Sequence, residues 1–134
     1  MGETHMNRYD WLDQYLLDKP GCTKDYKAEW GWFRYQVGGK LFAAVCTPDE
    51  THAEHAGRTM VILKCDPQLA ELFRQQYADV VPGFYCNKAH WNSVYLDGAV
   101  PDDILRSMCD LSYQLVCMKL PKRVLAEIAA GVEK

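Results

Sequence analysis

The chain of 134 residues predicts one α+β domain in two layers, a five-stranded antiparallel sheet with helices on one face. Three observations lead there. WFRYQV-GG-KLFAAV sets strand-like runs on both sides of Gly38-Gly39, and paired glycines supply the positive φ angles of a two-residue hairpin turn. A second β-rich run, GFYCNKAHWNSVYL, follows the break at Val81-Pro82-Gly83. After Pro101, Ile104, Met108, Leu111, Leu115 and Met118 recur at the 3.6-residue period of an amphipathic helix. Strands joined by short hairpins run antiparallel, and amphipathic helices need a sheet face to cover.

From Asn7 to Leu17 the chain reads as a helix, with Asn7 as N-cap and Trp11, Leu12, Tyr15 and Leu16 on one stripe. Lys19-Pro20-Gly21 ends it. Strands are expected over Trp30–Val37, Lys40–Thr47 and Arg58–Lys64, the last nearly all apolar and so deeply buried; Thr47–Gly57 is a polar loop. Asp66 caps a short helix opening at Pro67, whose stripe is Leu69, Leu72 and Phe73. Strands Gly83–Asn87 and His90–Leu96 form a hairpin around Asn87–Ala89, and Asp97-Gly98 turns the chain toward the long helix. Pro121 interrupts that helix, and Val124, Leu125, Ile128 and Ala129 mark a short final one. The order is α-β-β-β-α-β-β-α plus a C-terminal helix, one domain over residues 1–134.

Composition excludes several classes. No apolar stretch approaches the ~20 residues of a membrane helix, and MGETHMNRYDWL lacks the basic start and apolar run of a secretory signal. A soluble cytoplasmic protein without membrane contact is expected. The six cysteines include no C-x-x-C pair and sit mostly in apolar runs, so they read as reduced, buried thiols. His52-Ala-Glu-His55 lacks the H-E-x-x-H spacing that sets two histidines on one helix face, and it reads as loop. No metal and no cofactor are expected. Cys86 with His90 lacks a third group to orient the histidine, and Asp102-Asp103 is first-turn charge on a helix. No phosphate loop, dinucleotide fingerprint or nucleophile elbow is present, so the chain reads as a non-enzyme.

The net charge of −3 opposes a strongly basic nucleic-acid binder, yet acids are absent from the strands. Arg34, Lys40 and Lys88 make that sheet mildly positive, and Lys119, Lys122 and Arg123 either extend the patch or complement a helix C-terminus. In CNKAHWNSVYLDG, alternation places His90, Asn92, Val94 and Leu96 on the core face and Trp91 and Tyr95 on the face the helices leave bare. Residues periodic in this way close a hairpin with a cross-strand aromatic pair, or form an indole flanked by groups that bond phosphate.

KPGCTKDY, VGGKLFAAV, LKCDPQLAELFRQQY, VPGFYCNKAHWNSVYLDG, VPDDIL and SYQLV, in this order, resemble the MmcQ/YjbR family from about Tyr9 to Lys122. The block Pro82–Val94 carries the most specific part of the likeness. DYKAEWGW departs from it, standing where many members have a shorter stretch. The resemblance implies a five-stranded antiparallel sheet with helices on one face, similar to type III secretion chaperones. It also implies a predicted DNA-binding role through a double wing of hairpins. On that reading Arg34, Lys40, Lys88 and His90 meet phosphates, Trp91 stacks, Asn92 bonds a base or backbone group, and Asn87 belongs to the same nucleic-acid-binding face. The other expected partner is a protein, peptide or second copy on the face bearing Trp91 and Tyr95.

Overall fold

The computed structural model describes residues 9–131. The elements are α1 (Leu12–Leu17), β1 (Cys22–Lys27), β2 (Trp32–Val37), β3 (Lys40–Cys46), β4 (Met60–Lys64), α2 (Pro67–Gln76), β5 (Val80–Pro82), β6 (Trp91–Tyr95), α3 (Asp102–Cys117) and α4 (Lys122–Ala129). All strand pairs are antiparallel, in the order β1-β2-β3-β4-β6-β5. The class and the antiparallel sheet agree with the sequence reading, but the sheet has six strands rather than five.

The unexpected strand is β1, whose residues are mostly exposed because it forms a sheet edge. CTKDYK carries three charges and no buried stripe, so hydrophobic periodicity could not reveal it. Pairing with β2 makes it a strand, including a direct Asp25–Arg34 partnership. The expected strand Gly83–Asn87 is also displaced. Pairing with β6 lies in Val80–Pro82, and residues 83–90 form a loop.

Two apolar clusters follow from strand alternation. On one face Val37, Phe42, Val61, Leu63 and Val94 meet Leu16 of α1 and Leu105 and Cys109 of α3. Each side chain of this size, fully buried, contributes about 1.5–3 kcal/mol. On the other face Trp32, Ala44, Cys46, Met60, Ile62 and Tyr95 meet no helix, and Phe84 of the 83–90 loop covers them. Gly38, at φ 57°, lies so close under Leu120 that a Cβ there would stand 2.9 Å from its methyls. That contact fixes the segment between α3 and α4 at the β2–β3 turn.

Helix faces shift slightly from the expected stripes. In α1, Leu12 and Leu16 are buried as expected, while Asn7 lies outside the described residues. Asp66 caps α2 as read, accepting from the Gln68 and Leu69 amides, but Ala70 is its buried residue and Leu72 is exposed. The buried line of α3 is Leu105, Met108, Cys109, Ser112 and Val116: Met108 is shared with the apolar count, Leu105, Ser112 and Val116 stand one position on from Ile104, Leu111 and Leu115, and Met118 is exposed. The reason is Ser112. Its hydroxyl donates to Phe42 O at 2.5 Å and accepts from Lys64 N at 2.8 Å, just beyond the last β3–β4 pair at Ala43–Leu63. A polar side chain thus completes the ladder that the sheet leaves open.

All six cysteines are free. Burial pushes the Cys22 and Cys65 thiols up to about 11 and those of Cys46 and Cys109 up to about 12. Burial, reinforced by Asp110, carries Tyr15 up to about 12, and burial also raises Tyr35 and Tyr113. Groups whose folded values lie above their unfolded ones contribute stability that is complete below the unfolded values and lost as pH rises. The urea midpoint is therefore expected to hold near neutrality and to fall progressively above about pH 8.5, where unfolded thiols and then phenols ionise. A midpoint constant from pH 7 to about pH 11 contradicts this account.

Candidate functional site

The 83–90 loop is the centre of the sequence block that drew attention, and its polar residues are largely occupied in building it. Gly83 N donates to Trp91 O at 2.8 Å, so close that a Cβ at this position would stand 2.6 Å from Trp91 Cβ. Phe84 N then donates to Ser93 Oγ at 3.0 Å, which draws the loop back across the helix-free face. Asn87 Oδ1 accepts from Ala89 N at 2.9 Å, the local turn for which asparagine is suited. Lys88 Nζ donates to Gly83 O at 2.8 Å and ties the two limbs together.

Asn92 is corrected most sharply. It is fully buried, donating from Nδ2 to Ala70 O at 3.2 Å and accepting at Oδ1 from Arg74 Nη1 at 2.8 Å. The same Arg74 nitrogen reaches Lys88 O at 3.1 Å. Alternation had placed Asn92 on the core face, and α2 packs there, so no ligand can reach the amide. It joins α2, β6 and the loop.

The helix-free face is also not bare. Trp91 is half-buried, with Lys64 Nζ 5.9 Å from its ring, and Tyr95 is buried. Above Tyr95 the Arg58 guanidinium lies 3.5 Å from the ring centre, and its hydroxyl hydrogen-bonds His55 Nδ1 at 2.6 Å. Loops therefore cover the aromatic pair expected to be exposed. Arg34 is likewise held by both oxygens of Asp25, at 2.8 and 2.6 Å. The pairing lowers the Asp25 carboxyl and raises the guanidinium pKa, so the charge of Arg34 is compensated locally.

Several other cations are held the same way. Lys19, Lys24 and Arg58 each stand against a carboxylate, at Asp110, Asp13 and Asp97. Among the described residues Lys40, Lys64, Lys88, Lys119 and Lys122 have no carboxylate within ion-pair distance. Topology gathers them. β3 begins with Lys40, β4 ends with Lys64, and Lys64 is the register partner of Trp91 at the start of β6. Exposed His90 and Lys88 precede Trp91 in the loop, while Lys119 and Lys122 flank the Leu120 that packs on Gly38. The nearest acid in sequence, Asp66, is engaged in capping α2. This turn end of the sheet thus carries several uncompensated lysines, of which Lys64 lies beside the Trp91 indole.

Lys64 was missed from sequence because it closes an almost wholly apolar run. Its strand pairing alone reveals its neighbours. No group of three His, Cys, Asp or Glu residues among those described is placed to hold a metal. Burial raises the Cys86 thiol, which argues against a thiolate nucleophile beside His90.

A YjbR family model matches residues 17–115. The uncharacterized protein YjbR of Escherichia coli K12 is 41% identical over 111 residues, covering 83% of this chain and 88% of that protein. The uncharacterized protein YbdF of Escherichia coli O157:H7 is 33% identical over 97 residues, 72% of this chain and 74% of its own. The crystal structure of Deinococcus radiodurans protein DR2400 superposes with a TM-score of 0.77 at 25% identity, covering 98% of this chain and 95% of that one. A crystal structure of a Pseudomonas syringae protein gives a TM-score of 0.67 at 25% identity, over 82% of this chain and 98% of that chain.

Replacing Asn92 by Ala leaves the Arg74 guanidinium and Ala70 O without their inner partner. The expected loss is about 1–3 kcal/mol in urea unfolding, with faster hydrogen exchange at the Ala89 and His90 amides. Unchanged stability and exchange contradict a joining role for Asn92.

Proposed function

Because this chain belongs to the YjbR family and gathers its uncompensated lysines at one end of the sheet, we propose that it is a non-enzymatic module that binds DNA weakly. The carrying observation is the contrast between ion pairs. Lys19, Lys24, Arg34 and Arg58 stand against carboxylates, Arg74 is held by Asn92 and Lys88 O and Arg106 lies over the Trp11 ring, whereas Lys40, Lys64, Lys88, Lys119 and Lys122 have no carboxylate within ion-pair distance among the described residues. Such a cluster offers phosphates a surface from which counterions are released, and Trp91 with His90 adds a ring for stacking and a second polar contact. Asn92 has no part in contact, and Arg34 at most a minor one.

Few phosphate contacts mean weak, salt-sensitive binding, with a Kd of about 1–100 µM at physiological salt. Labelled single- and double-stranded DNA titrated at several salt concentrations should show the salt slope fall by about one for each of Lys40→Ala and Lys64→Ala. Trp91→Ala should weaken single-strand binding more than duplex binding. An absence of binding at low salt, or alanine variants that match the unsubstituted protein, refutes the proposal.

One separate observation favours a second reading, association with a protein or another copy. β1 is an open edge, and beside it Tyr26 and Phe33 are 54% and 43% exposed with their rings 4.8 Å apart. An edge with adjoining apolar surface can be extended by another strand, although Lys24 and Lys27 oppose this. Light scattering over a concentration series, with Phe33→Ser as comparison, measures it: a mass that rises with concentration and is suppressed by the substitution supports edge pairing.

A further inference from the structure

At the opposite end of the sheet a cleft of about 440 Å³ opens between the β1–β2 turn, the loop after β3 and the 83–90 loop. This volume falls within the range of small-ligand sites. Trp32 is buried, and Trp30 stands edge-on to it at 5.5 Å while remaining 57% exposed. Phe84 and Tyr85 stack at 4.6 Å on the far side. His52 stands perpendicular to both rings, 5.1 Å from Phe84 and 5.2 Å from Tyr85, with Nε2 3.2 Å from the Tyr85 hydroxyl.

Tyr85 has φ 58°, the one positive φ outside glycine among the described residues, and its side chain remains 71% exposed. Such a conformation is sparsely populated for a tyrosine and persists where its surroundings hold it. Burying Tyr85 is not its reward, since the ring faces solvent and the cleft.

The ionisable lining is acidic apart from His52. Glu29 and Asp49 stand at the cleft, and no lysine or arginine lines it. The Thr51 hydroxyl donates to Asp49 at 2.6 Å and its amide at 3.0 Å, keeping the carboxyl below its ordinary range and therefore charged at neutral pH. Lys27 and Arg34 approach the Trp30 ring, at 5.2 and 6.0 Å, but outside the lining, and each faces an acid, Glu29 and Asp25. Phosphates and carboxylates find repulsion here. Ring faces carry negative quadrupole potential, and Asp49, which no lysine or arginine faces within ion-pair distance, supplies net charge; together they attract a desolvated positive group.

We propose that this cleft binds a small organic cation, an alkylammonium or guanidinium group placed between Trp30, Trp32, Phe84 and Tyr85 with Asp49 as counter-charge. The group can belong to a free metabolite or to a side chain on a peptide. The site is separate from the lysine end, so either proposal can fail without the other.

The test uses the full chain and the indole N–H resonances of Trp30, Trp32 and Trp91. Choline serves as the free alkylammonium, N-acetylarginine amide as the peptide guanidinium, and 3,3-dimethylbutan-1-ol as the neutral isostere of choline. Saturable shifts at Trp30 and Trp32, absent at Trp91, are expected with one or both cations and not with the alcohol. Preference for choline identifies a free metabolite, and preference for the arginine amide a peptide. Trp30→Ala, at an exposed position that spares the core, is expected to weaken binding roughly 3- to 30-fold. Asp49→Asn should weaken it while Trp91→Ala leaves it intact. Absence of a saturable shift with either cation, equal binding of the alcohol, or sensitivity only to Trp91→Ala overturns the proposal.

Discussion

The Asn92 amide organises everything around it. An uncompensated polar group at that depth costs about 1–3 kcal/mol, and more when its partner is a guanidinium. Asn92 must therefore face Ala70 O and Arg74, and Arg74 must face Lys88 O as well. Those requirements set where α2 lies against β6 and where the loop returns to the sheet. With the loop's exit fixed there and its entry fixed by the approach of Gly83 to Trp91, its middle has one direction left, across the helix-free face. Phe84 closes the second cluster as a result, and Tyr85 is carried into its positive φ.

That loop serves both ends of the sheet. Lys88 and His90 stand with the lysines at the turn end, while Phe84 and Tyr85 form a wall of the acidic cleft at the other. A net charge of −3 describes neither place. Charges more than a Debye length apart, about 8 Å at physiological salt, are largely screened. What a ligand meets is the local balance, and ion pairing decides it: Asp25 compensates Arg34, whereas nothing among the described residues compensates Lys40 or Lys64.

Much of the architecture was legible because it rests on local signals. Gly38-Gly39 announces the β2–β3 turn, Asp66-Pro67 announces α2, and the apolar period after Pro101 announces α3. β1 was not, since an edge strand exposed on most positions has no apolar pattern, and it becomes a strand only through β2. The loop was read as a strand because Phe84, Tyr85 and Cys86 have strand propensity, and the hydrogen bond from Phe84 N to Ser93 Oγ, which folds the segment over, is tertiary. Within the candidate site the sequence singled out the segment by its polar residues and misread where several of them point. Asparagine and lysine look alike as ligand contacts and as loop ties, and the distinction depends on burial and partners in other elements.

Those ties also set the kind of binding this fold can offer. Asn87, Lys88 and Asn92 hold the loop through partners within the protein, so neither surface has to be assembled by an incoming ligand. Preorganisation reduces the entropy lost on association. It also limits strength at the lysine end, because a rigid cluster of a few lysines cannot wrap a duplex to recruit further phosphates. The cleft has the opposite character, with rings on several sides and the Asp49 carboxylate at hand for the one small positive group proposed to enter it. The proposed weak contact with an extended polyanion and the proposed enclosure of a compact cation therefore both draw on a single folded loop, its two halves delivered to opposite ends of the sheet.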